Sequence, residues 1–170
     1  MNSLSTAEKG RDIFKLSRDR PSTDEAAAAV GDASCGAISL FVGTTREDHS
    51  EHGKVIGLEY EAYEPMVLSE LARLCRDVRD RWPDVARVYV HHRLGWVGVG
   101  EASVVAAVSS PHRHEGQRAL AHLVDGLKAS VPVWKKEVYE GRGTAWKENA
   151  ECAWARCRGN DCTQKEPSLQ

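Results

Sequence analysis

The stretch 102-ASVVAAVSSPHRHEGQRALAHLVDGLKASVPVWKKEVY-139 decides the fold. Residues 102–109 are an apolar, β-branched run of strand length, and Pro111 ends it. Leu120, Leu123, Val124, Leu127 and Val131 then recur on one helical face until Pro132, which the helix cannot pass. Residues 133–139 alternate again as a strand. A buried strand, a long amphipathic helix and a second strand are thus joined with almost no loop.

Upstream the same punctuation repeats. Residues 87–93 read as a strand and 94–100 as a glycine-spaced turn or short strand. Pro65 suits the first turn of a helix whose Leu71, Leu74, Cys75, Val78 and Trp82 keep helical spacing up to Pro83. Residues 55–63 alternate as a strand, 44–54 form a charged loop, and 36–43 read as a buried strand between glycines. Ser22-Thr23-Asp24-Glu25 is a capping box opening a short Ala-rich helix that Gly31 can close, and residues 13–16 make a short first strand. Downstream, residues 144–149 close the series. The order predicts an α+β domain with two main helices on a mostly antiparallel sheet, spanning 11–155, with residues 1–10 a disordered end and 156–170 a flexible polar tail.

Composition narrows function. The 170 residues are 41% apolar and 28% charged, with 23 Lys and Arg against 25 Asp and Glu, a net charge of −2. Such a balance supplies no bulk attraction for nucleic acid or an anionic membrane. No apolar run is long enough to span a bilayer, and the polar first 20 residues lack a signal-peptide core, so the cytosol is expected. Five cysteines, Cys35, Cys75, Cys152, Cys157 and Cys162, are odd in number and too scattered for a disulfide framework. The spacing of the last three matches no common zinc motif, and with only His49 and His52 to complement them no metal site is expected. The near-neutral total conceals a basic segment, since residues 111–147 hold 7 basic and 4 acidic side chains.

Within that segment, Ser109-Ser110-Pro111-His112-Arg113 places a His and an Arg where a helix begins. Unpaired N–H groups, a partial positive charge and a guanidinium together make a cradle for phosphate or carboxylate; a solvent-exposed turn is the alternative. On the following helix, Lys128 falls about 80° from Leu120, at the edge of the apolar stripe. There it either snorkels to water or enters a cleft, where burial would make it a usable base or nucleophile. Alternation in the last long strand puts Lys135 and Glu137 on the face of Val131 and Val133, with Trp134, Lys136 and Val138 opposite. Charges on an apolar face line a pocket or protect an edge. Arg46, behind Gly43-Thr44-Thr45, is a weaker anion signal at a strand end. Glu59 and Glu61 share a strand face without the partner that would identify a glycosidase pair. No dinucleotide or P-loop fingerprint and no G-x-S-x-G elbow is present.

Four blocks, GAISLFVGTTRED (36–48), VIGLEYEAYEPM (55–66), HHRLGWVGVGEASVVAAVSSPHR (91–113) and LKASVPVWKKEVYE (127–140), resemble the large, catalytic subunit of molybdopterin synthase, in its eukaryotic form. The resemblance runs in order over about residues 12–154. It implies an α/β-hammerhead-like domain with an additional antiparallel β-sheet. It also implies a sulfurtransferase that builds the dithiolene of molybdopterin on cyclic pyranopterin monophosphate, with no cofactor of its own. The implied partners are a small ubiquitin-like sulfur carrier, whose Gly-Gly C-terminus bears a thiocarboxylate, and a second copy forming the centre of a heterotetramer. Carried over by position, Lys128 and Lys135 are the catalytic residues, and Thr44, Thr45, Arg46, His112, Arg113, Lys136 and Glu137 join them in binding substrate. One departure stands at Ala150, where some relatives carry a basic residue that Arg142, Lys147 or Arg156 would have to replace. A noncatalytic adaptor for a ubiquitin-like tail is the competing reading, and turnover separates the two.

Overall fold

The computed structural model describes residues 3–7, 12–50, 53–141 and 144–147, with 3–7, 50 and 144–147 described by backbone alone. The chain runs β1 (Ser3–Ala7), β2 (Asp12–Ser17), α1 (Thr23–Val30), β3 (Ala37–Thr44) and β4 (His49–Ser50). It continues through β5 (Gly53–Ala62), α2 (Glu64–Arg81), β6 (Arg87–Arg93), β7 (Gly95–Gly98) and β8 (Ala102–Ser110). It closes with α3 (Arg113–Ser130), β9 (Val133–Tyr139) and β10 (Thr144–Lys147).

The strands sort into two sheets. The first has the order β1-β2-β6-β8-β3, with β2 parallel to β6 and every other neighbouring pair antiparallel. The second has the order β10-β9-β5-β4, and β7 also pairs with β5, all antiparallel. The residue pattern alone had suggested one sheet; pairing partners are a tertiary choice that periodicity does not encode. The additional antiparallel sheet implied by the resemblance is present.

The uninterrupted apolar run of β8 has a direct cause. Val104, Ala106 and Val108 join Phe14, Leu16, Val88 and Val90 in a core closed by α2 and α3. Val105 and Ala107 face the other way, with Tyr89, against Ala26 and Val30 of α1. A strand covered on both faces needs no polar alternation. Each fully buried Leu or Val side chain contributes about 1.5–3 kcal/mol relative to exposure.

Helix starts and packing follow from particular residues. Ser22 Oγ accepts the Glu25 N–H at 3.2 Å, so the capping box starts α1 as read. Val67, Leu71, Leu74, Cys75 and Val78 form the buried stripe of α2. Gly126 of α3 lets the two helices close up, because a Cβ there would lie 2.5 Å from Leu74 Cδ2. Arg79 of α2 clamps the buried Asp12 of β2 through two guanidinium nitrogens, at 2.8 and 2.5 Å.

Three expectations are corrected. Residues 36–43 were expected to be a buried strand, yet β3 is an edge strand, and Ile38, Leu40 and Val42 on one face are 43%, 43% and 41% exposed. Apolar content identified the strand, but among the described residues only the short α1 lies on that face, and it leaves these side chains partly exposed. Within the expected disordered end, Ser3–Ala7 pairs with β2 from Ser3↔Leu16 to Ala7↔Asp12. Backbone pairing to an open strand edge needs no apolar periodicity. In the charged loop, β4 makes a two-residue hairpin with β5. The expected C-terminal tail, Ala150 and Cys152, Cys157 and Cys162 lie outside the described residues. No helix among the described residues is long and apolar enough to cross a membrane.

Candidate active site

The two sheets do not close against one another completely. Between them, beside the C-terminal half of α3, lies a cavity of about 510 Å³. That is the size range of small-molecule sites. The first sheet supplies Phe41, Gly43, His92, Ser103, Val104 and Ala106 to its wall, and the second supplies Val55, Leu58, Tyr60, Val133, Lys135 and Glu137. Val124, Leu127, Lys128 and Val131 come from α3 and its end, Thr44 ends β3, and Thr45, Arg46 and Asp48 come from the loop after it.

The alternation of β9 is realised. Lys135 and Glu137 face the cavity, and Glu137, only 6% exposed, accepts a hydrogen bond from Tyr139 Oη at 2.7 Å. Lys128, on the last turn of α3, is exposed and reaches the same cavity, where its charge also complements the helix C-terminus. The short connection through Pro132 turns the chain from α3 into β9, so two lysines seven positions apart converge on one volume.

Arg46 stands at the mouth, 87% exposed, with Asp48 as a loose partner at 3.6 Å. The loop behind it is held at Thr45, whose N–H donates to the Glu101 carbonyl at 3.0 Å and whose carbonyl accepts the Gly100 N–H at 2.7 Å. Thr45 is 2% exposed and its hydroxyl is enclosed without a hydrogen-bond partner, so it anchors the loop. Thr44 is the exposed hydroxyl of the pair. Glu101 is itself clamped, accepting the Gly98 N–H at 3.1 Å and pairing with Arg20 and with Arg93, the latter at 2.9 Å. These donors hold its carboxyl down at about 2.

Two groups of predicted residues are not brought to this cavity within one chain. Lys136 takes the opposite face of β9 and pairs with Glu61 at 2.6 Å, since successive strand residues point to opposite faces. His112 and Arg113 sit at the N-terminus of α3, both exposed, and do not line the cavity. Fifteen residues separate Arg113 from Lys128 on one helix, which is about 22 Å along its axis. The single cleft expected from sequence is therefore two separated cationic places on one chain.

The sequence reading missed His92, Tyr60 and Ser103. The available signal was the pair His91-His92 inside an apolar strand, where alternation sends one imidazole to each face. His91 goes toward the α1 face, where Ser17 Oγ lies 3.0 Å from its Nε2. His92 goes to the cavity, with Tyr60 edge-on at 4.9 Å between ring centres. Burial pushes the protonation of both down to about 4, so both are neutral at pH 7. Burial likewise pushes the Tyr60 phenol up. Among the described residues no group of three or more His, Cys, Asp or Glu is arranged to hold a metal ion.

A two-sheet α+β domain with a partly open cavity, two lysines on its wall and an arginine at its mouth is a class of protein whose site can hold an anionic group. The chain belongs to the MoaE protein family, whose model matches residues 16–130. A molybdopterin synthase catalytic subunit of Taeniopygia guttata is 52% identical over 145 residues, covering 85% of this chain and 92% of that protein. Among solved structures, the molybdopterin synthase of Staphylococcus aureus matches with a TM-score of 0.74 at 32% identity, over 79% of this chain and 96% of that one. A complex of subunits 1 and 2 of molybdopterin-converting factor from Helicobacter pylori shares the fold, with a TM-score of 0.65 at 19% identity, over 82% of this chain and 92% of that one.

Proposed function

We propose that the chain is the catalytic subunit of a molybdopterin synthase. It transfers sulfur from the thiocarboxylated C-terminus of a small ubiquitin-like carrier to cyclic pyranopterin monophosphate, forming the dithiolene of molybdopterin. The observation that carries this reading is the convergence of Lys128 and Lys135 on one cavity whose mouth holds Arg46. The cavity volume suits one phosphorylated pterin meeting the end of an extended tail.

The chemistry requires that negative charge be stabilised while a cyclic phosphate ester opens and a thiocarboxylate gives up its sulfur. Arg46 receives the phosphate through charge-assisted hydrogen bonds. Lys128 acts at the thiocarboxylate and carries a proton, while Lys135 polarises the acyl carbonyl or neutralises the opening phosphate. Glu137, fixed by Tyr139, keeps the Lys135 face polar. The protein needs no cofactor of its own in this step, because the sulfur arrives on the carrier. Unbridged Cys35 and Cys75 support a cytosolic setting.

A second copy of the chain resolves the position of His112 and Arg113. Gly36 donates its N–H to the Pro111 carbonyl at 3.3 Å, so the His-Arg pair flanks the start of β3, while Thr45 and Arg46 follow its end. The strand is roughly 23 Å long. A two-fold contact along this exposed, apolar edge sets the start of each β3 against the end of its partner. His112 and Arg113 of one copy then complete the anion site at the other copy's cavity. Ile38, Leu40 and Val42 are the apolar contacts of that interface.

Anaerobic incubation of purified chain, thiocarboxylated carrier and cyclic pyranopterin monophosphate tests the function. Wild-type protein is expected to form molybdopterin and Lys128→Ala to lose most turnover while still binding the carrier. Near wild-type product from a folded Lys128→Ala protein would remove the role given to this lysine. Carrier binding without any product from the wild type would leave an adaptor.

A further inference from the structure

Resting on the pterin-binding reading above, we infer that His92 contacts the substrate, presenting a neutral Nε2 acceptor inside the cavity to an N–H or O–H group of the bound precursor. The tautomer is set by chemistry. His92 Nδ1 lies 2.9 Å from the Arg93 carbonyl oxygen, which can only accept, so Nδ1 carries the hydrogen and Nε2 the lone pair. Nε2 has no hydrogen-bond partner among the described residues. Unlike His91 Nδ1, it is not among the fully enclosed unpaired atoms, so it opens to the cavity that His92 lines.

The position is unusual for a polar side chain. His92 follows Val88 and Val90 on one face of β6, is 7% exposed, and lies opposite Val104 on β8. A third aliphatic residue would continue that core without cost, whereas an acceptor on a cavity wall has to find its donor in whatever fills the cavity. A substrate donor supplies what the chain omits. The cationic cavity residues, Arg46, Lys128 and Lys135, can only donate hydrogen bonds; the acceptors on the wall are the carboxylates of Glu137 and Asp48, the hydroxyls of Thr44, Tyr60 and Ser103, and His92, whose Nε2 accepts without a charge and without a hydrogen of its own. A reduced pterin bears N–H groups as well as a phosphate, so its recognition uses acceptors as well as the phosphate-binding arginine. His92 is joined to the lysine side through Tyr60, which touches its ring edge-on and pairs across the sheet with Lys135. Burial keeps the imidazole uncharged beside these cations.

The test uses the dimeric chain with cyclic pyranopterin monophosphate as the probe, under anaerobic conditions. His92→Phe keeps the ring against Tyr60 and removes the acceptor; His92→Gln returns an amide oxygen near the position of Nε2. The expected result is precursor binding weakened about tenfold or more in His92→Phe. Carrier binding should be unchanged, and most of the precursor affinity should return in His92→Gln. In wild-type protein labelled with 15N-histidine, precursor should move the unprotonated Nε2 resonance of His92 and leave that of His91 in place. Wild-type affinity in a folded His92→Phe protein, or an Nε2 resonance that precursor does not move, overturns the inference. Because the resonance is read on the wild type, a misfolded variant does not rescue it. Absence of precursor binding by the wild type itself would remove the functional reading, and the His92 contact with it.

Discussion

If Arg113 and Lys128 act on one substrate, they must come from two different copies of the chain. Within one helix they stand about 22 Å apart, and Arg113 does not line the cavity that Lys128 reaches. The decisive perturbation pairs two inactive variants, Arg113→Ala and Lys128→Ala. In a heterodimer of the two, one cavity carries both lesions. The other combines an intact Lys128 with the intact Arg113 of its partner. Co-expression with two different tags and tandem purification isolates that heterodimer, which should show about half the molybdopterin-forming activity of wild type. Random mixing with free subunit exchange should give about a quarter, since half the dimers are mixed. Both homodimers serve as inactive controls. A tandem-purified heterodimer no more active than the homodimers would refute the shared site and return the His-Arg pair to a role away from the cavity.

The exposed strip of β3 gives a direct check on the same geometry: Leu40→Glu should turn the dimer into a monomer in sedimentation, with far-UV circular dichroism unchanged, and a variant that stays dimeric moves the interface elsewhere. Stability should also depend on pH in a defined window. His91 and His92 are protonated in the folded chain only near pH 4, below the ordinary value of about 6.5, so the unfolded chain binds more protons between these values. Stability from their burial is complete above about pH 6.5 and is lost as pH falls toward 4, by up to about 3 kcal/mol for each. Glu25 and Asp77 are shifted downward, and Asp32 and Glu101 down to about 2, so their losses come at lower pH still. Urea midpoints measured from pH 7 to 4.5 should fall, and a His91→Phe, His92→Phe double variant should flatten the slope. An equal slope in that variant would show that other groups carry it.

Much of the architecture was legible because the chain is punctuated by residues with one physical meaning. Pro65, Pro111 and Pro132 bound helices, Ser22 and Glu25 cap one, and the two-residue alternation of β9 assigns Lys135 and Lys136 to opposite faces. The anion-binding residues were legible as types and as local positions. Their grouping was less so. His112 and Arg113 drew attention for the same reason as Lys128, yet they occupy opposite ends of one helix. The His91-His92 doublet was passed over because a histidine in an apolar strand looks the same whether it closes a core or faces a cavity.

The sequence by itself determined which segments are strands and helices, which side chains share a face, and where cationic residues meet helix and strand ends, because these depend on φ/ψ preference and short periodicities. Only the tertiary structure decided that β3 is an edge, that two sheets leave about 510 Å³ between them, and that this volume gathers Lys128, Lys135, Arg46 and His92 while excluding His112 and Arg113. Those outcomes depend on which surfaces meet across long stretches of chain, and periodicity specifies a face without naming its partner.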